Sequence, residues 1–170
     1  TLFLAAQFID LLWPFFLLLN IERVEIDPGN TAFTPLDFVH YPYSHGLLSV
    51  IGWSVVFAFC YYLLQKKQKA ALMLGALVFS HWILDLITHR PDLPIAPWID
   101  YKAGLGLWNS VAWTIIIEGL IFIIGAFIYI RNTKAKKAVG NISLYSFLIF
   151  LVIVYIMNIT GDAPPSQQAI

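Results

Sequence analysis

The stretch AALMLGALVFSHWILDLITH, residues 70–89, is long and apolar enough to cross a bilayer as one helix. It nevertheless carries three ionisable groups, His81, Asp85 and His89, at intervals of four residues. Residues at this spacing project from the same side of an α-helix, so the three side chains form one polar stripe. Because an ionisable group in hydrocarbon costs about 2.5 kcal/mol or more, this stripe is expected to face the interior of a helix bundle.

The composition of the whole chain is typical of a membrane protein. Of its 170 residues, 59% are hydrophobic and 12% are charged, whereas a soluble domain is nearer half apolar and a quarter charged. The formal net charge is zero, and no basic stripe with interleaved aromatic side chains occurs. We therefore expect membrane lipids as partners and no nucleic acid.

Five apolar segments approach or exceed the roughly 20 residues that a bilayer core requires. They are residues 1–20, 43–64, 70–89, 105–130 and 142–159. We predict an all-α fold, a polytopic membrane helix bundle of about five transmembrane helices, as a single transmembrane domain over residues 1–170. Pro14 lies inside the first segment and predicts a kink there.

The basic residues predict which side of the membrane each loop occupies. The loops QKKQK (65–69) and RNTKAKK (131–137) hold seven basic residues and no acidic ones, against three basic residues in the remaining loops. The positive-inside rule therefore predicts that these two loops and the N-terminus are cytoplasmic.

The outer loop over residues 21–42 is long enough to form a partial lid. DPGN at 27–30 predicts a tight turn, because its proline fixes φ and its glycine tolerates positive φ. TPLD at 34–37 predicts the start of a helix, with Thr34 as N-cap and Pro35 at the first helical position.

Histidines and buried carboxylates gather at one depth of the predicted bundle. Seven such residues fall in the middle or outer part of the bilayer: His40, His45, His81, His89, Asp10, Asp85 and Glu118. Imidazoles and carboxylates are ligand types that suit Zn²⁺ or a similar divalent ion. We therefore predict a zinc site formed by His45, His81 and Asp85, which His40 or Asp10 completes.

The remaining polar groups have supporting roles in this hypothesis. Asp10 and Glu118 are the candidate catalytic residues, since either carboxylate could act as a general base. His89 and Asn109 are candidates for groups that orient the ligands through hydrogen bonds.

A second interpretation of the same residues needs no metal. His81 and Asp85 could pair with each other and hold helices together, as polar residues do in membrane bundles. The chain would then be a non-enzymatic accessory subunit of a larger membrane complex. The fifth segment, which carries no functional group, would provide the interface with protein partners.

Two stretches also resemble a known family. HYPYSHGLL (40–48) followed by GALVFSHWILDLITHRPDLPIAP (75–97) resembles the small bacterial membrane-bound, metal-dependent hydrolases whose best-known member is regulated by the LexA repressor. The resemblance covers about residues 5–100. Members carry an early P-D-x-D element, then an H-R-x-x-T-H-S-type element, then H-x-x-x-D on a membrane helix.

Each family element has a counterpart in this chain. QFIDLLWP stands for the first with Asp10 as its one acid, HYPYSH gives His40 and His45, and HWILD gives His81 and Asp85. The resemblance implies a multi-pass protein of the bacterial inner membrane. It also implies a metal-activated water and a lipid-like or phosphoester substrate, which would be reached from the non-cytoplasmic side.

Overall fold

A computed structural model describes residues 1–161 and 164. Most of these residues are helical, as the predicted fold class requires. The elements in chain order are α1 (Leu2–Ala6), α2 (Phe8–Leu18), β1 (Arg23–Ile26), β2 (Leu36–His40), α3 (Leu47–Gln65), α4 (Gln68–Thr88), β3 (Leu93–Ala96), β4 (Ile99–Ala103), a 3₁₀ turn (Leu107–Asn109), α5 (Val111–Asn132) and α6 (Ala138–Thr160).

Four helices, α3 to α6, are long enough and apolar enough to cross a membrane. They correspond to the second to fifth predicted segments, so the prediction of a polytopic helical membrane protein is confirmed. The largest difference in bounds is at α5, which begins at Val111 rather than at residue 105. Within this range, Leu107–Asn109 form the 3₁₀ turn instead of the first turn of the α-helix.

The first predicted span forms two short helices. α1 ends at Ala6 and α2 begins at Phe8, so the helix is interrupted at Gln7. Pro14 lies inside α2, which continues through it to Leu18. The carbonyl groups in the last turn of a helix lack partners within that helix, so this break leaves carbonyl oxygens of α1 available to other donors.

The chain forms two compact units. The first covers residues 1–109 and contains α1 to α4 and both pairs of strands. The second begins at Ser110 and contains α5 and α6, of which α5 buries only Thr114 and α6 buries none of its residues. The exposed side chains of both helices are mostly apolar and suit contact with lipid. The predicted single domain reaches residue 170, so its end lies outside the described residues.

The core of the first unit lies between α3 and α4, with α1 and α2 packed against α4. Its buried side chains are Ala5, Ile9, Tyr41, Val50, Leu74, Val78, Trp82 and Leu93. α3 and α4 approach closely at Gly75, where an added Cβ atom would lie 3.0 Å from the Ser54 carbonyl oxygen and 3.1 Å from the Ala58 Cβ. Such small residues allow membrane helices to pack closely.

The predicted outer loop, residues 21–42, contains an antiparallel hairpin of β1 and β2. The predicted turn at 27–30 is confirmed, since the Asn30 N–H donates to the Asp27 carbonyl at 3.0 Å and Gly29 has φ +100°. The prediction of a helix starting at Thr34 is wrong. Residues 36–40 form β2 instead, because the ladder with β1 pairs their backbone and the sequence LDFVH suits a strand.

A partly buried polar cluster joins the two hairpins to the end of α4. We call it the hairpin cluster, and it consists of Asp37, Tyr41, His89, Arg90 and Asp92. Arg90 pairs with Asp37 of β2 and donates to Asp92 Oδ2 at 3.0 Å. The Tyr41 hydroxyl and His89 Nδ1 both lie close to Asp92 Oδ1, at 3.1 and 3.0 Å. The Asp92 carboxylate therefore connects both hairpins with α4.

The surroundings of Asp92 shift its pKa. Burial by itself raises the pKa, but hydrogen bonds from His89, Arg90 and Tyr41 and the charge of His89 hold it below the ordinary value. A carboxyl group with a lowered pKa stabilises the folded state above its unfolded pKa of about 4. This contribution is lost as the pH falls through the lower, folded value.

We predict that Asp92→Asn lowers the thermal unfolding temperature at neutral pH, by an amount equivalent to about 1–3 kcal/mol, because Arg90 loses a buried charged partner. The difference from the wild type should shrink as the pH falls below about 4. Circular dichroism in detergent measures this, with the exposed Asp100→Asn as control. Equal unfolding temperatures of Asp92→Asn and the wild type at neutral pH would contradict the role of the cluster.

We further predict that Gly75→Val destabilises the protein by about 1–3 kcal/mol, because its side chain must push α3 and α4 apart. The matched variant is Gly52→Val, since an added Cβ at Gly52 of α3 meets nothing within 4 Å. Thermal unfolding of both variants in the same detergent compares them. The predicted helix contact is absent if the two variants unfold at the same temperature.

Candidate metal centre

Three separate elements bring potential ligand atoms together. Asp10 comes from α2, His45 from the turn that precedes α3, and His81 from α4. Asp10 Oδ1 lies 3.2 Å from His45 Nε2, and Asp10 Oδ2 lies 3.4 Å from His81 Nε2. One ligand atom from each of the three residues lies within 4.8 Å of the other two.

These separations fit a common coordination geometry. Ligands at about 2.0–2.1 Å from a tetrahedral zinc ion lie about 3.3–3.4 Å from one another. The distances from Asp10 to the two imidazoles are of this size. The residues present therefore suit a divalent ion in both ligand type and spacing.

The tautomer of His81 follows from its contact with α1. His81 Nδ1 lies 2.8 Å from the carbonyl oxygen of Ala6, which can only accept a hydrogen bond. The proton therefore lies on Nδ1, and Nε2 is the atom that faces Asp10. This contact uses a carbonyl in the last turn of α1, just before the break at Gln7.

Asp85 extends the centre along α4. It lies one helical turn after His81, and its Oδ1 is 3.5 Å from His81 Nε2. Its Oδ2 is buried and has no hydrogen-bond partner among the residues that the structure describes. A buried carboxylate oxygen without a partner is costly, so this atom suits a hydrogen bond or a cation in the centre. We use the term candidate centre for Asp10, His45, His81 and Asp85.

The candidate centre is open on one side. The side chain of Asp10 is 47% exposed, whereas those of His45 and His81 are 7% and 12% exposed. A ligand can therefore approach the centre from the side of Asp10, because the two imidazoles are largely covered by the rest of the fold.

The other predicted site residues of the first unit lie outside the candidate centre. His40 is exposed at the end of β2, with its ring centroid 6.1 Å from that of Tyr43. His89 is buried in the hairpin cluster. Asn109 is exposed at the end of the 3₁₀ turn, and Glu118 belongs to the second unit, on α5.

Two residues near the centre were not identified from the sequence. Glu22 is buried, although it follows the first segment in a loop, and it accepts hydrogen bonds from the backbone of Tyr43 and Ser44. Ser44 lies between Glu22 and His45. Ser44 and His45 are neighbours in the sequence. The contact between Ser44 and Glu22, however, joins residues 22 positions apart, and no local pattern predicts it.

A family model described as YdjM inner membrane protein matches residues 17–161. The matched range includes His45, His81 and Asp85 and begins after Asp10. Searches among curated proteins and solved structures gave no match. The match covers most of the chain and agrees with its four apolar helices, so the expected inner-membrane location is supported. The chain belongs to the YdjM inner membrane protein family.

Proposed function

We propose that this protein is a membrane-embedded, metal-dependent hydrolase whose divalent ion, zinc, is held by Asp10, His45 and His81. The convergence of these ligand atoms within 4.8 Å of one another carries the proposal. Such an ion polarises an ester or phosphoester oxygen and lowers the pKa of water, which is the chemistry of hydrolysis.

The charges in the candidate centre support a bound cation. Two carboxylates, Asp10 and Asp85, lie beside the Nε2 atom of His81. A neutral imidazole with its proton on Nδ1 presents a lone pair at Nε2, which carboxylate oxygens repel. Either a proton added to Nε2 or a bound cation removes this repulsion. The metal content of the purified protein distinguishes the two possibilities.

The geometry favours a different division of roles between the two carboxylates than the sequence suggested. Asp10 lies between both imidazoles and is suited to be a ligand. Asp85 keeps a buried oxygen, Oδ2, without a partner among the described residues, and this oxygen is suited to accept a proton from water. Asp85 is therefore our candidate general base.

The surroundings of Asp10 favour an amphiphilic substrate of the lipid-like or phosphoester class. Leu11 and Phe15, which follow Asp10 on α2, are 48% and 63% exposed. A substrate with apolar tails can contact these side chains while its polar head reaches the centre.

The charge pattern supports access from the non-cytoplasmic side. His45 precedes α3 and Asp85 lies near the end of α4, whereas the basic turn QKKQK joins the opposite ends of these helices. With the basic turn in the cytoplasm, the centre lies towards the other face of the membrane.

An accessory subunit without catalytic activity is the second candidate. α6 buries none of its residues 138–160 within the chain and exposes a long apolar surface. A partner helix could cover this surface, and the polar groups of the centre would then serve to hold α2, α3 and α4 together.

We predict that the purified protein binds about one zinc ion per chain, as a site with these ligands should. His81→Ala and Asp10→Asn should each abolish most of this binding, because each removes a ligand. Elemental analysis after dialysis against zinc measures the metal content. The matched control is His40→Ala, which removes an exposed imidazole outside the centre and should leave the zinc content unchanged. Wild-type zinc content in both ligand variants would refute the proposed centre.

We also predict that Asp85→Asn lowers the rate of hydrolysis by about 100-fold or more while zinc remains bound, because it removes the proton acceptor. The assay measures phosphate or fatty-acid release from a panel of phospholipids in mixed micelles, with Asp100→Asn as control. Full activity of Asp85→Asn would overturn its role as the base. A zinc-loaded wild type without activity on the whole panel would favour the accessory subunit.

A further inference from the structure

We infer that Glu22 is a positioning residue of the candidate centre: acting through Ser44, it fixes a proton on His45 Nδ1 and leaves Nε2 available as a ligand. This inference rests on the proposed metal centre, which it deepens. Glu22 lies between α2 and β1, outside the candidate centre, and touches neither Asp10 nor His81 in any contact that the structure describes.

Glu22 is held in one orientation by three donors. Its Oε1 accepts the backbone N–H groups of Tyr43 and Ser44, each at 2.8 Å. Its Oε2 accepts the Ser44 hydroxyl at 2.6 Å. Glu22 is only 3% exposed, so water has little access to these oxygens. The carboxylate is therefore fixed against the turn that carries His45.

The direction of each hydrogen bond follows from the donors available. A carboxylate only accepts, and a serine hydroxyl has a single proton to donate. Because Ser44 donates this proton to Glu22, its oxygen can only accept from His45 Nδ1, which lies 2.7 Å away. The proton of the imidazole is thus on Nδ1, and the other nitrogen, Nε2, faces Asp10 at 3.2 Å.

His81 reaches the same tautomer by a different contact. Its Nδ1 donates to the backbone carbonyl of Ala6, which no side-chain substitution removes. His45 depends on the side chains of Ser44 and Glu22 instead. Acceptors behind a ligating histidine commonly fix its tautomer in this way, and their loss costs about 10–100-fold in metal affinity.

Burial makes this chain of hydrogen bonds hard to replace. Ser44 is 0% exposed and His45 is 6% exposed, so a water molecule cannot readily take the place of a missing partner. A substitution at Glu22 should therefore change which nitrogen of His45 carries the proton, because solvent cannot compensate for the lost partner.

Glu22→Gln reverses the direction of the hydrogen bond between residue 22 and the Ser44 hydroxyl, while the shape of the side chain hardly changes. The amide oxygen must remain opposite the two backbone N–H groups, so the NH₂ group faces Ser44 and donates to its hydroxyl oxygen. The buried Ser44 hydroxyl then has one described partner left to accept its proton, His45 Nδ1, so the ring is expected to carry its own proton on Nε2. An Nε2–H still donates to Asp10, so the variant can fold, but zinc can bind through that atom only after the ring has moved its proton back to Nδ1.

The experiment measures both the tautomer and the affinity. Nitrogen-15 NMR of histidine-labelled protein, metal-free and zinc-loaded, reports whether His45 Nδ1 carries a proton; a His45→Gln sample assigns the signal. Competition with a chromophoric chelator gives zinc affinity. We expect a protonated Nδ1 in the wild type, an unprotonated Nδ1 in metal-free Glu22→Gln, and an affinity for zinc about 10–100-fold lower in the variant.

Glu25→Gln is the matched control, because Glu25 is exposed on β1 and pairs with Arg23. It should leave the tautomer and the affinity unchanged. Ser44→Ala, which removes the link itself, should also weaken zinc binding, and circular dichroism verifies that each variant is folded.

The possible outcomes separate this inference from the proposed function. If Glu22→Gln keeps a protonated Nδ1 or binds zinc as tightly as the wild type does, the positioning role of Glu22 is refuted while the metal centre stands. If the wild type binds no zinc but the proton moves from Nδ1 in metal-free Glu22→Gln, the metal centre is refuted while the control of the tautomer by Glu22 is upheld.

Discussion

Ionisable side chains inside a bilayer have to be paired, and this requirement organises the first unit of the protein. Asp10, His81 and Asp85 all lie on apolar helices, and each of them contacts at least one of the others. The break at Gln7 belongs to the same arrangement, because it leaves carbonyl groups of α1 available and His81 donates to one of them. Irregular backbone at membrane depth is tolerated where such internal partners exist. The pairing of these ionisable side chains and the break between α1 and α2 thus depend on each other.

The two hairpins complete the first unit around the candidate centre. The hairpin cluster connects β2 and the residue before β3 to the end of α4, and the chain runs from β2 through Tyr41 to Ser44 and His45. Glu22, just before β1, holds the backbone of this same turn. These non-helical segments therefore fix the position from which His45 contacts Asp10.

The features that the sequence could predict depend on local spacing or on the cost of burying charge. His81 and Asp85 lie together because residues four apart share one side of a helix, and Asp10 required a partner because it lies in an apolar segment. Features that depend on distant pairing were missed. Pro35 suggested a helix, but the ladder with β1 made residues 36–40 a strand. Neither the burial of Glu22 nor the separation of His40 from the centre has a local signal.

The central claim is that two imidazoles and a carboxylate hold one divalent ion, and X-ray absorption spectroscopy of the zinc-loaded protein tests it most directly. The account predicts nitrogen and oxygen neighbours at about 2.0–2.1 Å together with the outer-shell scattering that imidazole rings produce. Zinc surrounded only by oxygen, without imidazole scattering, would contradict it. His45 and His81 would then be partners of Asp10 through protons alone.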